Sequence, residues 1–217
     1  YHAVTVRDLE GHGRYYAISR NGQVKATDAA DLAKRLEAEP NVAVLLKDGD
    51  ALEAFICGHV DSRLFVASSD GHALVFDTEA LRSQGRRATG VRGILLPDGG
   101  WVAGAFAVQR VGARAGGLSM ESDAWLGLVT ETGFAKRMRV DEFRPQGRGG
   151  AGLQTCRLGS GDSVVRVAPI DLPEDVLVLT SAGRYARFPA TALPSLGRPA
   201  RGERLFDLDI GEQIVDL

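Results

Sequence analysis

The chain has 217 residues, of which 44% are hydrophobic and 25% are charged, and its formal net charge is −2. This composition is typical of a globular protein with a sizeable core, and the near-neutral charge excludes a uniformly basic nucleic-acid binder. Any anion-binding surface must therefore come from local segregation of basic residues. The two cysteines have neither metal-type nor redox-type spacing, and no apolar run has the length of a membrane helix, so we expect a cytoplasmic protein.

Four hairpins are predicted along the chain, each with an apolar strand, a Ser/Thr-x-x-Gly-like turn and a second, alternating strand. Two turns contain Asn21-Gly22 and Asp70-Gly71, dipeptides that favour tight turns in which both central residues have φ > 0. The predicted hairpins are Tyr15–Thr27, Leu64–Phe76, Trp125–Met138 and Val176–Phe188, with turn glycines at Gly22, Gly71, Gly133 and Gly183. These glycines are 49, 62 and 50 residues apart, which indicates an internal repeat.

Each hairpin is followed by an apolar residue, ten positions after the turn glycine, that we expect to anchor a connecting loop: Leu32, Leu81, Phe143 or Leu193. The predicted third strands are Val42–Leu46, Ile94–Leu96, Leu153–Cys156 and Arg204–Leu208. The predicted fourth strands are Ala51–Cys57, Trp101–Val108, Ser163–Ala168 and Gln213–Leu217. Four short strands per period of about 50 residues are the signature of a propeller blade, so the fold is predicted to be all-β and propeller-like, with about four four-stranded blades.

The whole chain is predicted to be a single repeat domain. Its blades are predicted at residues 15–63, 64–124, 125–175 and 176–217, and residues 1–14 are predicted to be the last strand of a preceding repeat and a linker. Because Tyr1–Val6 has the pattern of a fourth strand without the preceding three, we expect the chain to be a piece of a larger protein. The longer second period comes from residues around Gln109–Met120, which are predicted to form a flexible hairpin insertion or an additional anion contact.

A Gly-Arg-x-x-x-Gly sequence, here called the kernel, occurs three times, at Gly85–Gly90, Gly147–Gly152 and Gly197–Gly202. Its glycines would let a backbone approach a phosphate closely, with an arginine beside it. The alternative is a tight glycine turn between blades with solvated arginines. No Gly-Lys-Ser/Thr ending or βαβ unit supports a nucleotide site. The first repeat has Ala33–Asn41 instead, with Glu37 and Glu39, and is not predicted to bind the same ligand.

Basic residues cluster around the kernels, whereas acidic residues dominate elsewhere. Because equivalent loops of successive blades lie side by side on one rim, these residues would form an arc suited to a curved polyanion such as duplex DNA. The predicted DNA-binding residues are Arg82, Arg86, Arg87, Arg92, Lys136, Arg137, Arg139, Arg144, Arg148, Arg184, Arg187, Arg198, Arg201 and Arg204.

Catalytic and metal-binding patterns are weak. The four histidines have no matched nucleophile, and Asp48-Gly49-Asp50 lacks the remaining ligands of a calcium loop. We therefore predict no catalytic residue and no metal site. A propeller-type protein-interaction module, whose basic loops meet an acidic partner surface, is the alternative of another class.

The repeated unit resembles the C-terminal domain of the A subunit of bacterial type IIA topoisomerases. Gln146-Gly147-Arg148-Gly149-Gly150-Ala151-Gly152 is similar to the gyrase box, a Gln-Arg-Arg-Gly-Gly-Lys-Gly pattern, although Gly147 replaces an arginine and Ala151 replaces the lysine. The resemblance implies a β-pinwheel, in which each blade exchanges a strand with its neighbour and a basic rim wraps duplex DNA. In gyrase this wrapping supports ATP-dependent negative supercoiling, and in topoisomerase IV the related domain binds DNA crossings. The resemblance favours gyrase over topoisomerase IV.

The resemblance also implies where the chemistry lies. The cleaving tyrosine would be in the other part of the A subunit, whereas the ATPase would be in the B subunit, so this chain alone is expected not to be an enzyme. We expect no cofactor in it, with ATP and Mg bound elsewhere in the holoenzyme. The expected partners are duplex DNA, the B subunit, and the remainder of the A subunit. The expected location is the bacterial cytoplasm at the nucleoid, with no membrane.

Overall fold

A computed structural model describes residues 13–33, 42–85, 87–108, 124–205 and 207–217 of the chain. These residues form fifteen β-strands, one short helix α1 (Ala29–Ala33) and three single-turn 3₁₀ helices, at Thr78–Ala80, Val140–Glu142 and Ala190–Ala192. The strands are β1 (Gly13–Ser19), β2 (Gln23–Asp28), β3 (Leu52–His59), β4 (Arg63–Ser68), β5 (His72–Asp77), β6 (Val91–Arg92), β7 (Val102–Val108), β8 (Trp125–Thr130), β9 (Phe134–Arg139), β10 (Leu153–Gln154), β11 (Val164–Ile170), β12 (Asp175–Thr180), β13 (Tyr185–Pro189), β14 (Glu203–Arg204) and β15 (Ile214–Asp216).

The strands form four antiparallel sheets, as expected for an all-β, propeller-like fold. Sheet I has the spatial order β3-β1-β2-β6, sheet II β7-β4-β5-β10, and sheet III β11-β8-β9-β14. Sheet IV contains three strands among the described residues, in the order β15-β12-β13. The predicted fold class is confirmed. The predicted hairpins form the two central strands of sheets I, II and III, and the fourth hairpin forms β12 and the edge strand β13 of sheet IV.

The last strand of sheets I, II and III comes from the following repeat. β6 pairs with β2 of the preceding repeat, β10 with β5, and β14 with β9. Each pairing involves two residues that directly follow the second glycine of a kernel. The strand exchange implied by the resemblance is therefore present. Sheets I, II and III each contain strands from two repeats, so a sheet does not coincide with one continuous segment of the chain. The blade boundaries predicted from the sequence therefore remain predictions.

The hairpin turns differ from the predicted geometry. The turn glycine of each hairpin has a positive φ, for example 80° at Gly22 and 82° at Gly71. Within the described part of the chain, every residue with a positive φ is a glycine. The amide of Gly22 donates to the carbonyl of Ser19 at 2.9 Å, which closes a turn before the glycine. The prediction of two central residues with φ > 0 is wrong, because the chain uses a turn with ordinary φ followed by a left-handed glycine.

The Ser/Thr that opens each turn has a structural role. The Ser19 hydroxyl accepts a hydrogen bond from the Gln23 amide at 3.2 Å, and the Thr130 hydroxyl accepts one from the Phe134 amide at 3.2 Å. A short side-chain acceptor at this position satisfies the first amide after the turn. Thr180 accepts in the same way from the Arg184 amide at 3.3 Å, whereas the Ser68 hydroxyl donates to the His72 carbonyl at 3.2 Å. In all four hairpins the hydroxyl thus bonds the backbone of the residue after the turn glycine.

The third strands are displaced from their predicted positions. The strand predicted at Ile94–Leu96 lies three residues earlier, at β6, and Val42–Leu46 is not a strand. The strands predicted at Leu153–Cys156 and Arg204–Leu208 begin within one residue of the predicted start but are only two residues long. These positions follow from pairing with a neighbouring sheet, which the repeat's own pattern does not encode. The predicted strand at Tyr1–Val6, the insertion around Gln109–Met120 and most of Ala33–Asn41 lie outside the described residues.

The core lies between successive sheets. In β4, Leu64 and Val66 belong to the cluster shared with sheet I, whereas Phe65 and Ala67 belong to the cluster shared with sheet III. A strand between two sheets is apolar on both faces, which explains its uninterrupted hydrophobic sequence. The predicted loop anchors Leu81, Phe143 and Leu193 are buried, as expected.

The fourth strands of the repeats form the inner edge of the sheets. β7 contacts β3 on one side and β11 on the other, and β11 also contacts β15. A Cβ atom on Gly104 of β7 would collide with the carbonyl oxygen of Val167 in β11, so glycine permits this close approach. The exchanged strands and the kernels lie at the opposite, outer edge.

Candidate nucleic-acid interface

Each kernel forms a loop on the outer edge of the preceding repeat's sheet. Before the kernel at Gly85–Gly90, the Gln84 amide donates to the Ala26 carbonyl in β2 at 2.9 Å. After the kernel, β6 pairs with the same strand through Val91 and Val24. The chain thus leaves β2 and returns to it, and the residues in between protrude from the edge. We call this surface, formed by the three kernels with β6, β10 and β14, the outer edge.

The second glycine of each kernel is required for packing. Gly90, Gly152 and Gly202 have φ of 85°, 87° and 100°, in the left-handed region that favours glycine. A Cβ atom on any of them would lie less than 3.0 Å from a backbone carbonyl oxygen of the preceding sheet. The sequence interpretation assigned these glycines to phosphate approach, but their close neighbour is the adjacent strand.

Each later kernel lies against the segment that directly follows the preceding kernel. The Gly149 amide donates to the Gly93 carbonyl at 2.7 Å, and the Leu95 amide donates to the Gly150 carbonyl at 2.9 Å. One repeat further on, the Arg157 amide donates to the Pro199 carbonyl at 3.0 Å. The described parts of the three kernels are therefore consecutive along a single edge, the arrangement that the sequence analysis required.

Two kernel arginines repeat the same contact. Arg148 donates from its guanidinium to the Arg92 carbonyl at 2.8 Å, and Arg198 donates to the Gln154 carbonyl at 3.5 Å. Arg92 and Gln154 occupy equivalent positions, two residues after the second kernel glycine. Each arginine is thereby held across the exchanged strand of the preceding repeat. Arg86, the equivalent residue of the first kernel, lies outside the described residues.

The box-like loop Gln146–Gly152 is held mainly by its backbone. The Gln146 amide donates to the Val75 carbonyl at 2.8 Å, and Gly149 has a φ of 82° that positions its amide toward Gly93. Gly147 is exposed, and a Cβ atom added to it would have no neighbour within 4 Å; Ala151 is also exposed. The two positions that depart from the gyrase box are thus on the surface.

Several predicted residues present their guanidinium groups to solvent around the kernels. The exposed ones, apart from the ion-paired residues described below, are Arg82, Arg87, Arg92, Arg144, Arg148 and Arg204. Arg157 is exposed as well and adjoins the last kernel, although it was not among the predicted residues. The sequence signal for Arg157 was its place among the basic residues that cluster around the kernel at Gly147–Gly152.

Five of the predicted arginines lie over aromatic rings. Arg201 and Arg204 lie 3.7 and 5.3 Å from the ring centre of Phe134, and Arg198 lies 4.9 Å from that of Phe143. Arg137 and Arg139 lie over the ring of Trp125, at 5.0 and 5.7 Å. Such contacts are each worth about 0.5–1 kcal/mol at exposed sites, and they orient the guanidinium without neutralising its charge.

Two predicted residues on sheet IV form ion pairs. Arg184 donates from Nε to Glu212 at 2.8 Å and also lies 3.5 Å from Asp209. This hydrogen bond lowers the pKa of Glu212 to about 2. Arg187 donates to Asp175 at 2.7 Å. A phosphate would have to compete with these carboxylates, so the two residues differ from Arg148 and Arg198 of the kernels. Two more predicted residues are ion-paired: Arg139 lies 3.2 Å from Asp141, and Arg201 of the last kernel lies 3.7 Å from Asp162.

The prediction for Lys136 is wrong. Its side chain is 0% exposed, and its ammonium donates to the Thr155 carbonyl at 2.6 Å and to the Gly197 carbonyl at 3.3 Å. Burial lowers its pKa. The equivalent position of the second repeat holds Leu74, which is also completely buried. This position of the second hairpin strand faces the interior, so Lys136 cannot contact DNA in this structure.

The aspartates in the turns between third and fourth strands accept hydrogen bonds from backbone amides. The Asp50 carboxylate accepts from the amides of Asn21 and Ala51, at 3.0 and 2.8 Å. Asp162 accepts in the same way from Thr132, at 3.1 Å. Across the described ranges, no three His, Cys, Asp or Glu side chains are grouped so that they could hold a metal ion. No helix in the part of the chain described is long and apolar enough to cross a membrane.

An ion-pair network at the inner edge joins repeats that are not adjacent. Arg166 of β11 donates to Glu53 of β3 at 3.2 Å and to Asp216 of β15 at 2.8 Å. Arg20 lies 3.8 Å from Glu53 on its other side. Sheets I, III and IV are thus linked through one guanidinium. The sequence contained no signal for this network, because Glu53 and Arg166 are far apart in the chain.

Comparison with known proteins agrees with this architecture. The sequence model of the family described as DNA gyrase C-terminal domain, beta-propeller, matches residues 62–109, 126–171 and 174–217. The A subunit of DNA gyrase from Staphylococcus epidermidis is 28% identical over 211 residues, which cover 96% of this chain and 22% of that protein. The chain therefore spans about a fifth of the length of this relative.

Two solved structures share the fold. The crystal structure of the C-terminal domain of DNA topoisomerase IV aligns with a TM-score of 0.84 at 20% identity, over 97% of this chain and 62% of that one. A DNA gyrase A C-terminal domain aligns with a TM-score of 0.78 at 20% identity, over 97% of this chain and 67% of that one. Together with a family match over more than half of its length, these features show that the chain belongs to the DNA gyrase C-terminal domain family of β-propeller proteins.

Proposed function

We propose that the outer edge binds duplex DNA without sequence specificity and bends it along the row of kernels. The observation that carries this proposal is that each later kernel contacts the segment directly after the preceding kernel, with Arg148 and Arg198 in equivalent positions. Arginines repeated at one edge neutralise phosphates at intervals along a duplex, and phosphate contacts of this kind supply most of non-specific DNA affinity.

The segregation of charge supports a polyanion as the ligand. The chain carries a formal net charge of −2, yet its exposed kernel arginines are concentrated at the outer edge. Bending 20–30 bp costs on the order of 1–6 kcal/mol, which a few arginine–phosphate contacts per repeat can offset. The glycine–strand packing supports the same function, because it fixes each kernel on the sheet that carries it.

Family membership supports a role within a larger enzyme. As the C-terminal domain of a gyrase A subunit, the chain would wrap DNA so that the holoenzyme introduces negative supercoils at the expense of ATP. The rest of the A subunit, together with the B subunit, would supply cleavage and ATP hydrolysis, and the complex would act in the cytoplasm at the nucleoid. This chain's own contribution would be to bind and bend the duplex.

A topoisomerase IV-type domain that binds DNA crossings is the second candidate. The departures from the gyrase box at Gly147 and Ala151 favour it, whereas the family match and the curated relative favour gyrase. Ligation of nicked circular DNA in the presence of the protein separates the two. A one-handed wrap shifts the mean linking number in proportion to bound protein, and a crossing binder without a wrap leaves the mean unchanged.

Binding to random linear duplexes of increasing length, up to about the 150-bp persistence length, tests the proposal itself. We expect affinity to rise with length until the outer edge is filled, and ligase-catalysed circularisation of a fragment of about 150 bp to become faster. A protein-interaction module would show neither effect. Binding that does not depend on length would overturn the proposal.

A further inference from the structure

The last kernel, Gly197–Gly202, is tethered to the preceding sheet by a buried lysine. Lys136 is a centrally placed residue of β9, and its ammonium reaches the carbonyl oxygen of Gly197, the first glycine of that kernel, at 3.3 Å. It also donates to Thr155 at 2.6 Å, beside the exchanged strand β10. A buried ammonium is retained only where carbonyl or carboxylate oxygens surround it, so these contacts fix both segments.

A carboxylate from the same sheet holds the next residue of the kernel. Glu142 accepts from the Arg198 amide at 3.2 Å with one oxygen and from the Arg139 amide at 3.2 Å with the other. Phe143, directly after it, lies beneath the Arg198 guanidinium. The backbone and the side chain of Arg198 are therefore positioned from sheet III before any ligand arrives.

The tether differs among the repeats. The positions equivalent to Lys136 and Glu142 are Leu74 and Ala80 in the second repeat, whose sheet holds the box-like loop of the third repeat. That loop has backbone contacts and the Arg148 contact, but no lysine or glutamate side chain can reach it from these two positions. In the first repeat the equivalent residues are Lys25 and Asp31, and the Lys25 ammonium donates to the Ala43 carbonyl.

We infer that Lys136 and Glu142 are positioning residues for DNA binding, which hold the Gly197–Gly202 kernel so that Arg198 faces a phosphate. The inference rests on the proposed function of the outer edge. Neither residue touches the ligand. Their contribution to affinity passes through Arg198, because they remove the conformational freedom that the kernel would otherwise lose on binding.

The repeat itself supplies the test variants. Lys136→Leu and Glu142→Ala introduce the residues that the second repeat carries at the same positions, and leucine is already accommodated in that setting. Lys47→Leu removes one positive charge from an exposed turn and serves as the control. Binding of a random duplex is measured at several salt concentrations, with amide hydrogen exchange of residues 197–202 as a second readout.

We expect Lys136→Leu and Glu142→Ala each to weaken duplex binding by about threefold to tenfold and to accelerate exchange in the kernel. The control should stay within about twofold of the wild type. Combined with Arg198→Ala, either variant should weaken binding no further than Arg198→Ala alone, since all act through one guanidinium. Should Lys136→Leu fail to fold, Glu142→Gln, which keeps the side-chain shape, provides the same comparison.

Three results would overturn the inference or its basis, and they are distinguishable. If Arg198→Ala weakens binding but the Lys136 and Glu142 variants do not, the positioning role is wrong and the DNA-binding function stands. Effects that add to that of Arg198→Ala show that the two residues act independently of it, which also contradicts the inference. If Arg148→Ala and Arg198→Ala both leave binding unchanged, the proposed function itself fails.

Discussion

Replacing Gly152 by alanine tests whether the second kernel glycine is needed for strand exchange. Gly152 has a φ of 87°, and a Cβ atom there would lie less than 3.0 Å from the carbonyl oxygen of Ala73 in β5. A left-handed conformation costs a non-glycine residue about 1–2 kcal/mol, and relieving the overlap costs about 1–3 kcal/mol more. We expect Gly152→Ala to lower the free energy of unfolding by about 2–5 kcal/mol.

Gly147→Ala in the same kernel is the matched control. Gly147 is outside the left-handed region, and no heavy atom lies within 4 Å of the added methyl group. Alanine at such a position stabilises the folded protein by about 0.4–1 kcal/mol, because it reduces the conformational entropy of the unfolded chain. The two substitutions are chemically identical and lie in the same loop, so their difference reports the packing against β5.

Urea denaturation gives the stability of both variants, and hydrogen exchange locates the damage. The exchanged strand pairs with β5 through only two residues, Leu153 and Gln154, so we expect their amides to exchange faster in Gly152→Ala. A free energy of unfolding for Gly152→Ala within about 0.5 kcal/mol of that of Gly147→Ala would refute the reasoning. Since repeat arrays can unfold in steps, exchange at sheet I serves as an internal reference.

Two further predictions concern ion pairs. Arg166→Met removes the bonds to Glu53 and Asp216 and should lower the free energy of unfolding by about 1–2 kcal/mol, less at high salt, because the pairs are partly exposed. Equal urea midpoints for the variant and the wild type at low salt would contradict this. The Arg184 hydrogen bond lowers the pKa of Glu212 from its usual value near 4.5 to about 2, so its stabilisation is complete above pH 4.5 and is lost as pH falls toward 2. Arg184→Met should flatten that part of the stability–pH curve, and an unchanged curve would show that the pair does not contribute.

Local chemistry made the hairpins predictable. A Ser or Thr side chain, a glycine three residues later and flanking apolar strands act within a dozen residues, so the pattern in the sequence is sufficient. The period of these signals then predicted the repeat, and the repeat predicted a single edge for the kernels. These predictions required no knowledge of which sheets are neighbours.

The misplaced elements depend on distant partners. β6 lies where Val24 and Gln23 of another repeat offer hydrogen bonds, and the left-handed Gly90 sets its register, so Ile94–Leu96 was a misleading apolar run. Lys136 was assigned to the surface because of its charge, although Leu74 at the equivalent position already indicated an interior site. Comparing repeats position by position would have found this signal.

Measuring how salt weakens duplex binding, with the kernel arginines removed, tests the assignment of the outer edge most directly. Arg148→Ala/Arg198→Ala is compared by fluorescence anisotropy with Arg20→Ala, which removes a guanidinium that lies near Glu53 and Trp101 at the inner edge. If both kernel arginines contact phosphates, the slope of log Kobs against log salt becomes shallower by about 2 in the double variant and is unchanged in Arg20→Ala. A double variant with the wild-type slope, or an equal change in Arg20→Ala, would contradict DNA binding along the row of kernels.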